Sequence, residues 1–186
     1  MRITVIGCGG VGSNIALKLA MVPDVDYIVL VDDDIVDEKY LERVPLVRIL
    51  MGELAIDEYK VRVLANAIRI LRNDISVKPI VGRFPEVVAG EGNYSYVPPA
   101  IICVDSMEAR KEIESFLKKA GAKFYHVGFD NHRLTIYTSI DEVIEVQERR
   151  PAEGSSYETP PTAIELDIAA SYVVNELLRI IEVIEE

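Results

Sequence analysis

Apolar residues along the chain follow two alternating rhythms. Residues 2–6 (RITVI) and 26–31 (DYIVLV) are short, nearly continuous apolar runs, as in parallel strands buried on both faces. Between them, 12–21 places Ile15, Leu17, Leu19 and Ala20 at helical spacing. Residues 57–72 repeat apolar positions at Val61, Leu64, Ala65, Ile68 and Leu71, one buried face of a helix. A strand at 75–80 follows, then a loop rich in Gly, Pro and Tyr from Phe84 to Pro98. The pattern resumes with a strand at 100–104 (AIICV), a helix over 107–120 and a strand at 123–128 (KFYHVG). Asp130-Asn131 marks a turn, and 133–139 (RLTIYTS) alternates like a hairpin arm. The least patterned stretch, 147–161 (QERRPAEGSSYETPP), is expected to be a mobile crossover loop. Thr162-Ala163-Ile164-Glu165 is a capping box opening a last helix that runs towards Glu186. The order βαβαβ, βαβ, hairpin predicts an α/β fold: a doubly wound, mostly parallel sheet with helices on both faces and an antiparallel hairpin at one edge. Its length suits one domain, 1–186.

Charge and composition remove several classes of function. The net charge is -11, which argues against a nucleic-acid partner and an anionic membrane surface. No apolar run approaches the roughly 18 residues of a membrane span. No signal peptide is evident, because the first apolar run is short and begins a strand. Two cysteines, Cys8 and Cys103, make neither a disulfide framework nor a four-thiolate zinc site. A cytoplasmic location is expected.

The chemistry begins where the first strand runs into Gly7-Cys8-Gly9-Gly10-Val11-Gly12-Ser13. Gly7, Gly9 and Gly12 fit G-x-G-x-x-G between a strand and a helix, the phosphate turn of a Rossmann-like domain. The helix N-terminus adds free N–H groups and a positive dipole end. The second strand ends in Asp32-Asp33-Asp34, and Asp32 lies 25 residues after Gly7, near where a ribose-binding carboxylate belongs. An acidic residue there disfavours a 2′-phosphate but does not separate NAD from ATP. Asp33 also reads as a solvated strand end.

Further along stand Asp34-x-Val36, Leu41-x-Arg43, Lys60 near a helix start, and Asp105 after AIICV. With the turn GCGGVGS, the segments VDDDIVDEKYLER, AIDEYKVRVLA and VDSMEAR, and the closing TPPTAIELDIAASYVVNELLRII, this series resembles the ThiF/MoeB/ubiquitin-activating-enzyme family of adenylating proteins. The resemblance covers essentially the whole chain. It implies an ATP-dependent adenylyltransferase that activates the C-terminal carboxylate of a ubiquitin-like or sulfur-carrier protein as an acyl adenylate. It also implies a homodimer or a heteromer. Arg43 and Lys60 would supply positive charge to the phosphates, and Asp105 would hold Mg²⁺, with Ser106 beside it. Gly7, Gly9, Gly10, Gly12 and Ser13 would cradle the nucleotide, Asp32 would hold the ribose, and Asp34 would assist near the phosphates or metal. Each position also has a plainer reading: Arg43 and Lys60 as surface charges, Asp105 as a helix cap, Arg110 as a stabiliser of its helix.

The pattern departs from the family in places. The family's asparagine falls at Tyr40, the glutamine that often follows the arginine is Val44, and the asparagine after the metal-binding aspartate is Ser106. The sequence opens on its first strand, so the upstream helix of many relatives has no counterpart in it. There is no CxxC pair for a structural zinc and no cysteine in 147–161 for a thioester. His126 and His132 read as strand and turn residues rather than ligands. Arg149-Arg150 reads as a solvated pair, and Tyr94, Tyr96 and Tyr157 as loop packing or a partner surface. Two other readings stay open: a non-catalytic nucleotide- or partner-binding relative acting within a complex, and an NAD-dependent oxidoreductase.

Overall fold

The computed structural model describes residues 1–89, 96–130, 133–139 and 162–185. Six strands form one sheet in the order β3-β2-β1-β4-β5-β6. They are β1 Arg2–Ile6, β2 Tyr27–Asp32, β3 Ser76–Val81, β4 Ala100–Ile102, β5 Phe124–Asp130 and β6 Arg133–Tyr137. β1 to β5 run parallel. β6 returns antiparallel beside β5, with Val127 opposite Ile136. The helices are α1 Gly10–Ala20, α2 Glu38–Arg43, α3 Pro45–Met51, α4 Lys60–Leu71, α5 Glu86–Ala89, α6 Met107–Lys119 and α7 Ala163–Glu185. This is the doubly wound fold that the apolar rhythm predicts.

Strand side chains divide between two cores. Ile3 and Val5 of β1, Ile28 and Leu30 of β2 and Ile101 of β4 face the α1, α4 and α7 layer. Ile6, Val29, Val31, Ala100 and Ile102 face the opposite layer with Ile113 and Leu117 of α6. Both faces of the central strands are therefore buried, which is why they read as unbroken apolar runs. Fully burying one such Leu or Ile contributes about 2 kcal/mol. The strand ends that carry the polar residues are thus held by a stiff frame.

Between β2 and α4 the structure adds two helices and a 3₁₀ turn (Gly52–Ala55) that the apolar rhythm does not show. Helices of six and seven residues are too short to display a period. Local chemistry marks them instead: Asp37 caps α2 by accepting from the Tyr40 N–H at 2.7 Å, and Pro45 stands at the start of α3. α4 starts at Lys60 rather than 57, because Ile35 bridges Tyr59 and Asp57 takes φ 68. The capping box at the head of α7 forms: the Thr162 N–H donates to Glu165 Oε2 at 2.8 Å, and the Glu165 N–H to Thr162 Oγ1 at 3.3 Å. The expected crossover at 147–161 lies outside the described residues, as do Asn131, His132, Tyr94, Tyr157 and Arg149-Arg150. Among those described, no helix is long and apolar enough to cross a membrane.

Candidate functional site

β1 lies between β2 and β4, so the connections leaving β1 and entering β4 diverge to opposite sides of the sheet. Open α/β sheets form their ligand crevice at such a reversal, outside the carboxyl ends of the strands. A cavity of about 640 Å³ opens there, lined by the ends of β1 to β4 and by the starts of α1, α4 and α6. Its size falls within the range of small-molecule sites.

The glycine turn forms the floor. A Cβ on Gly7 (φ 89) would meet the backbone of Cys103 and Val104 at 2.9 Å, so β1 and β4 approach too closely for any side chain. A Cβ on Gly12 would lie 1.9 Å from the Gly7 carbonyl oxygen, and one on Gly10 would meet Leu166 at 2.9 Å and Arg43 at 3.3 Å. Gly7 and Gly12 are required by the protein's own backbone packing, whereas at Gly10 only the Leu166 and Arg43 side chains stand in the way. Gly9 differs: no atom lies within 4 Å of the place its Cβ would take, and the residue lines the cavity. Gly9 also precedes the first turn of α1, where free N–H groups point outward.

Ser13 lies under this turn, not in the cavity wall. Its hydroxyl donates to the Cys8 carbonyl at 2.8 Å and meets the Tyr40 hydroxyl at 3.0 Å. Gly12 is likewise beneath the lining, whereas Gly7, Gly9 and Gly10 reach it. Asp32 ties the turn to β2: one carboxylate oxygen accepts from the Cys8 N–H at 2.6 Å and the other from the Asp34 N–H at 2.7 Å. Burial raises its pKa above the ordinary carboxylate value, and those two N–H donors oppose the rise.

Asp34 holds Lys60 twice. Its carboxylate accepts from Lys60 Nζ at 2.7 Å, and its carbonyl accepts from the Lys60 N–H at 2.9 Å. The bonds Val36 N–H to Glu58 O and Asp57 N–H to Val36 O fasten the same two segments. This is how a lysine at the head of α4 comes to the end of β2. Arg43 closes α2 over Gly10, and Asn14 of α1 donates to the Arg43 carbonyl at 3.0 Å. Arg43 lines the cavity and has no ion-pair partner among the described residues.

On the α6 side, Ser106 caps the helix by accepting from the Ala109 N–H at 3.3 Å. The capping role considered for Asp105 therefore belongs to Ser106. Asp105 is exposed on the cavity wall and makes no hydrogen bond or ion pair among the described residues. Arg110 is buried and donates to the Val127 carbonyl at 2.8 Å, so it holds its helix by tying α6 to β5. His126 is buried against Glu114, Nε2 to Oε2 at 2.6 Å, so it is taken up inside the fold. Both cysteines are buried and free. Burial pushes the Cys8 thiol well above its ordinary value and the Cys103 thiol up to about 12. Tyr96 packs edge-on against Phe84 and Phe116, which is loop packing.

The structure also brings in residues that no motif marks. Arg83, after β3, pairs with Asp33 at 3.1 Å. Glu86 of α5 and Glu108 and Glu112 of α6 line the cavity together with Asp105. The cavity is therefore two-sided: Lys60 and Arg43 beside the glycine turn, carboxylates towards α5 and α6. The carboxylates of Asp32, Asp33 and Asp34 lie within 4.8 Å of one another, but Asp33 and Asp34 already have cationic partners. Glu108 and Glu112, four apart, share a helix face, a signal that the sequence carried without a reason to read it.

No curated protein sequence matches the chain significantly. Among solved structures, E. coli MccB with succinimide superposes with a TM-score of 0.71 at 17% identity, covering 96% of this chain and 55% of that one. E. coli MccB with AMPCPP and MccA gives 0.68 at 19%, covering 97% and 55%. PaaA gives 0.66 at 19%, covering 97% and 63%. At these identities the likeness is one of fold, and the chain spans less than two thirds of each of those structures. A protein-family model extends the likeness to the sequence itself, matching residues 1–185: the chain belongs to the ThiF family.

Proposed function

We propose that this chain catalyses ATP-dependent adenylation of a carboxylate at the C-terminus of a small protein or peptide. The observation that carries the reading is Gly9. Backbone crowding requires Gly7 and Gly12, and side chains crowd Gly10, whereas Gly9 leaves open space at the cavity floor beside the first turn of α1. A backbone bared in that way lets a phosphate approach N–H groups closely. Family membership and the solved E. coli MccB structures with ATP and with AMPCPP plus MccA support the same ligand class.

In this reading, Gly7, Gly9 and Gly10 cradle the phosphates. Arg43 and Lys60 face the charge that builds as a carboxylate oxygen attacks the α-phosphorus. The new O–P bond forms as the α–β phosphoanhydride breaks, and pyrophosphate leaves. Catalysis is then positioning and electrostatics, with the cations placed before the reaction begins. Asp32 holds the ribose with lone pairs not used by Cys8 and Asp34, and Ser13 and Gly12 set the shape of the turn from below. Asp105 offers oxygen donors, which suit Mg²⁺, and Asp34 lines the same cavity. A divalent cation there would offset the repulsion between polyphosphate and the carboxylates of the α5 and α6 side.

Neither cysteine is a ready nucleophile, so the acyl adenylate passes to an external acceptor. The substrate proposed is a ubiquitin-like or sulfur-carrier protein or a shorter peptide. Pairing with a second copy or another subunit is part of the proposal. It is supported by an exposed apolar stripe on α7, Ile164, Ile168 and Tyr172.

The test is ³²P-pyrophosphate/ATP exchange with small proteins ending in glycine and with short peptides, beside calorimetry with ATP, AMP and NAD. Binding of ATP–Mg²⁺ and carboxylate-dependent exchange are expected. Gly9→Ala should fold normally and lose nucleotide binding. Tight NAD binding without ATP binding would overturn the reading in favour of an oxidoreductase. ATP binding with no exchange for any carboxylate would favour the non-catalytic relative.

A further inference from the structure

Tyr40 stands where the family resemblance calls for an asparagine, and the structure shows what it does instead. Its side chain is buried, 4% exposed, so its hydroxyl cannot meet a ligand in the cavity. That hydroxyl lies 3.0 Å from Ser13 Oγ. Ser13 has one proton, and at 2.8 Å it goes to the Cys8 carbonyl. The Tyr40 hydroxyl must therefore be the donor to Ser13, and a directed relay runs Tyr40 to Ser13 to Cys8. The N–H of the same Cys8 is held by Asp32 at 2.6 Å. Both polar groups of the residue between Gly7 and Gly9 are thus fixed from opposite sides, one of them through Tyr40.

The ring has a second contact. Lys60 Nζ sits over its face, 5.7 Å from the centroid. An ammonium at that distance is attracted by the negative face of the ring. Asp34 holds the same ammonium at 2.7 Å. With Asp34 on one side and the ring on another, the open side of Lys60 is the one that lines the cavity. One side chain on α2 therefore touches both the turn after β1 and the lysine at the head of α4.

We propose that Tyr40 is a positioning residue that couples the phosphate turn to Lys60: its hydroxyl sets the turn through Ser13, and its ring sets the direction of the ammonium. This rests on the nucleotide reading above. An asparagine would present an amide to the ligand directly. The tyrosine gives up that contact and fixes two groups that the ligand meets.

The two halves of the side chain separate by mutation. Tyr40→Phe keeps the ring and removes the relay. It should raise the KM for ATP about threefold to tenfold with kcat little changed, as for loss of one hydrogen bond. Ser13→Ala should do the same, and the double variant should be no worse than either single one. Tyr40→Leu removes the ring and should lower kcat about fivefold or more. In a Lys60→Ala background the same change should have no further effect on kcat. A spectroscopic readout needs no nucleotide: the Lys60 Cε protons should show a ring-current displacement that persists in Tyr40→Phe and disappears in Tyr40→Leu. Thermal melting of each variant accompanies these measurements.

Additive losses of Tyr40→Leu and Lys60→Ala in kcat would overturn the coupling. So would Lys60 protons that do not move in Tyr40→Leu, whether or not the protein turns over ATP. If Tyr40→Leu fails to fold, Tyr40→Phe and Ser13→Ala still decide the relay, and unchanged KM values in both would refute it. A wild-type protein that binds no ATP but shows the ring-current displacement would leave the positioning intact and overturn the function it serves.

Discussion

Two charged clusters in this molecule lie on the same sheet and are built on opposite terms. Around the glycine turn, Asp33–Arg83 and Asp34–Lys60 pair at the mouth of the cavity with their carboxylates open to water. Beneath α6, Glu114 is 4% exposed and His126 fully buried. Glu114 also holds Lys118 at 2.6 Å, and the buried Arg110 spends itself on strand carbonyls. Exposed pairs contribute little to stability, whereas a buried group stripped of its partner is left to bear its desolvation. The first cluster can therefore be altered for chemistry at small cost to the fold. The second cannot, and none of its residues lines the cavity.

The largest expected effect on stability is at Glu114. Glu114→Ala leaves the buried imidazole without an acceptor and should destabilise the protein by about 2–3 kcal/mol in urea unfolding. Glu114→Gln, which keeps an acceptor, should cost less. Exchange activity per folded molecule should survive in both. If Glu114→Ala melted like the wild type, the two clusters would not differ in kind.

Lys60→Ala and Arg43→Ala sharpen the contrast from the other side. Each should reduce pyrophosphate exchange on the order of 100-fold, the scale of losing one preorganised charge partner. Unfolding free energies should stay within about 0.5 kcal/mol of wild type. Asp105→Ala should behave likewise, and raising Mg²⁺ should recover part of its loss. Outright unfolding of any of these would assign that residue to the frame.

A subtler effect follows from His126. Burial holds its pKa below the ordinary 6.5, opposed by the bond to Glu114. The unfolded chain then takes up a proton that the folded chain refuses. Stability should fall as pH drops from about 6.5 towards the folded value and level off below it. His126→Gln should flatten that part of the profile, measured as urea midpoints across pH. The smallest effect is at the cysteines: neither should react with an alkylating reagent at pH 8 until the protein is unfolded, because burial holds both thiols protonated. Rapid alkylation of native Cys103 would reopen a thioester route.

The doubly wound sheet was legible because strands buried on both faces leave short unbroken apolar runs that alternate with helical spacing; the strand order came from the structure. The turn was legible through its glycines, although the sequence treats all four alike; only the structure separates Gly9, which faces open space, from three that face backbone or side chains. α2 and α3 were not legible as elements, since six or seven residues carry no period. Lys60 reads as a solvated helix residue until the bridge between Ile35 and Tyr59 brings it to Asp34. Arg83 could not be found at all: its partner Asp33 is 50 residues away, and no local pattern joins them. Tyr40 read only as a departure from the family's asparagine, because a sequence shows which residue type is missing but not which way its replacement turns.

In the proposed reading, the tether between Asp34 and Lys60 leaves the ammonium shared instead of surrendered. An ammonium carries three donors, and Asp34 takes one of them at 2.7 Å. A phosphate entering from the cavity side would meet a cation already aimed and partly neutralised, so the lysine would lend the site direction more than grip. Asp34 would stay beside the phosphates with a negative charge of its own, facing any counter-ion they bring. One bond thus keeps that side of the cavity close to neutral and links the arrival of an anion to the demand for a cation.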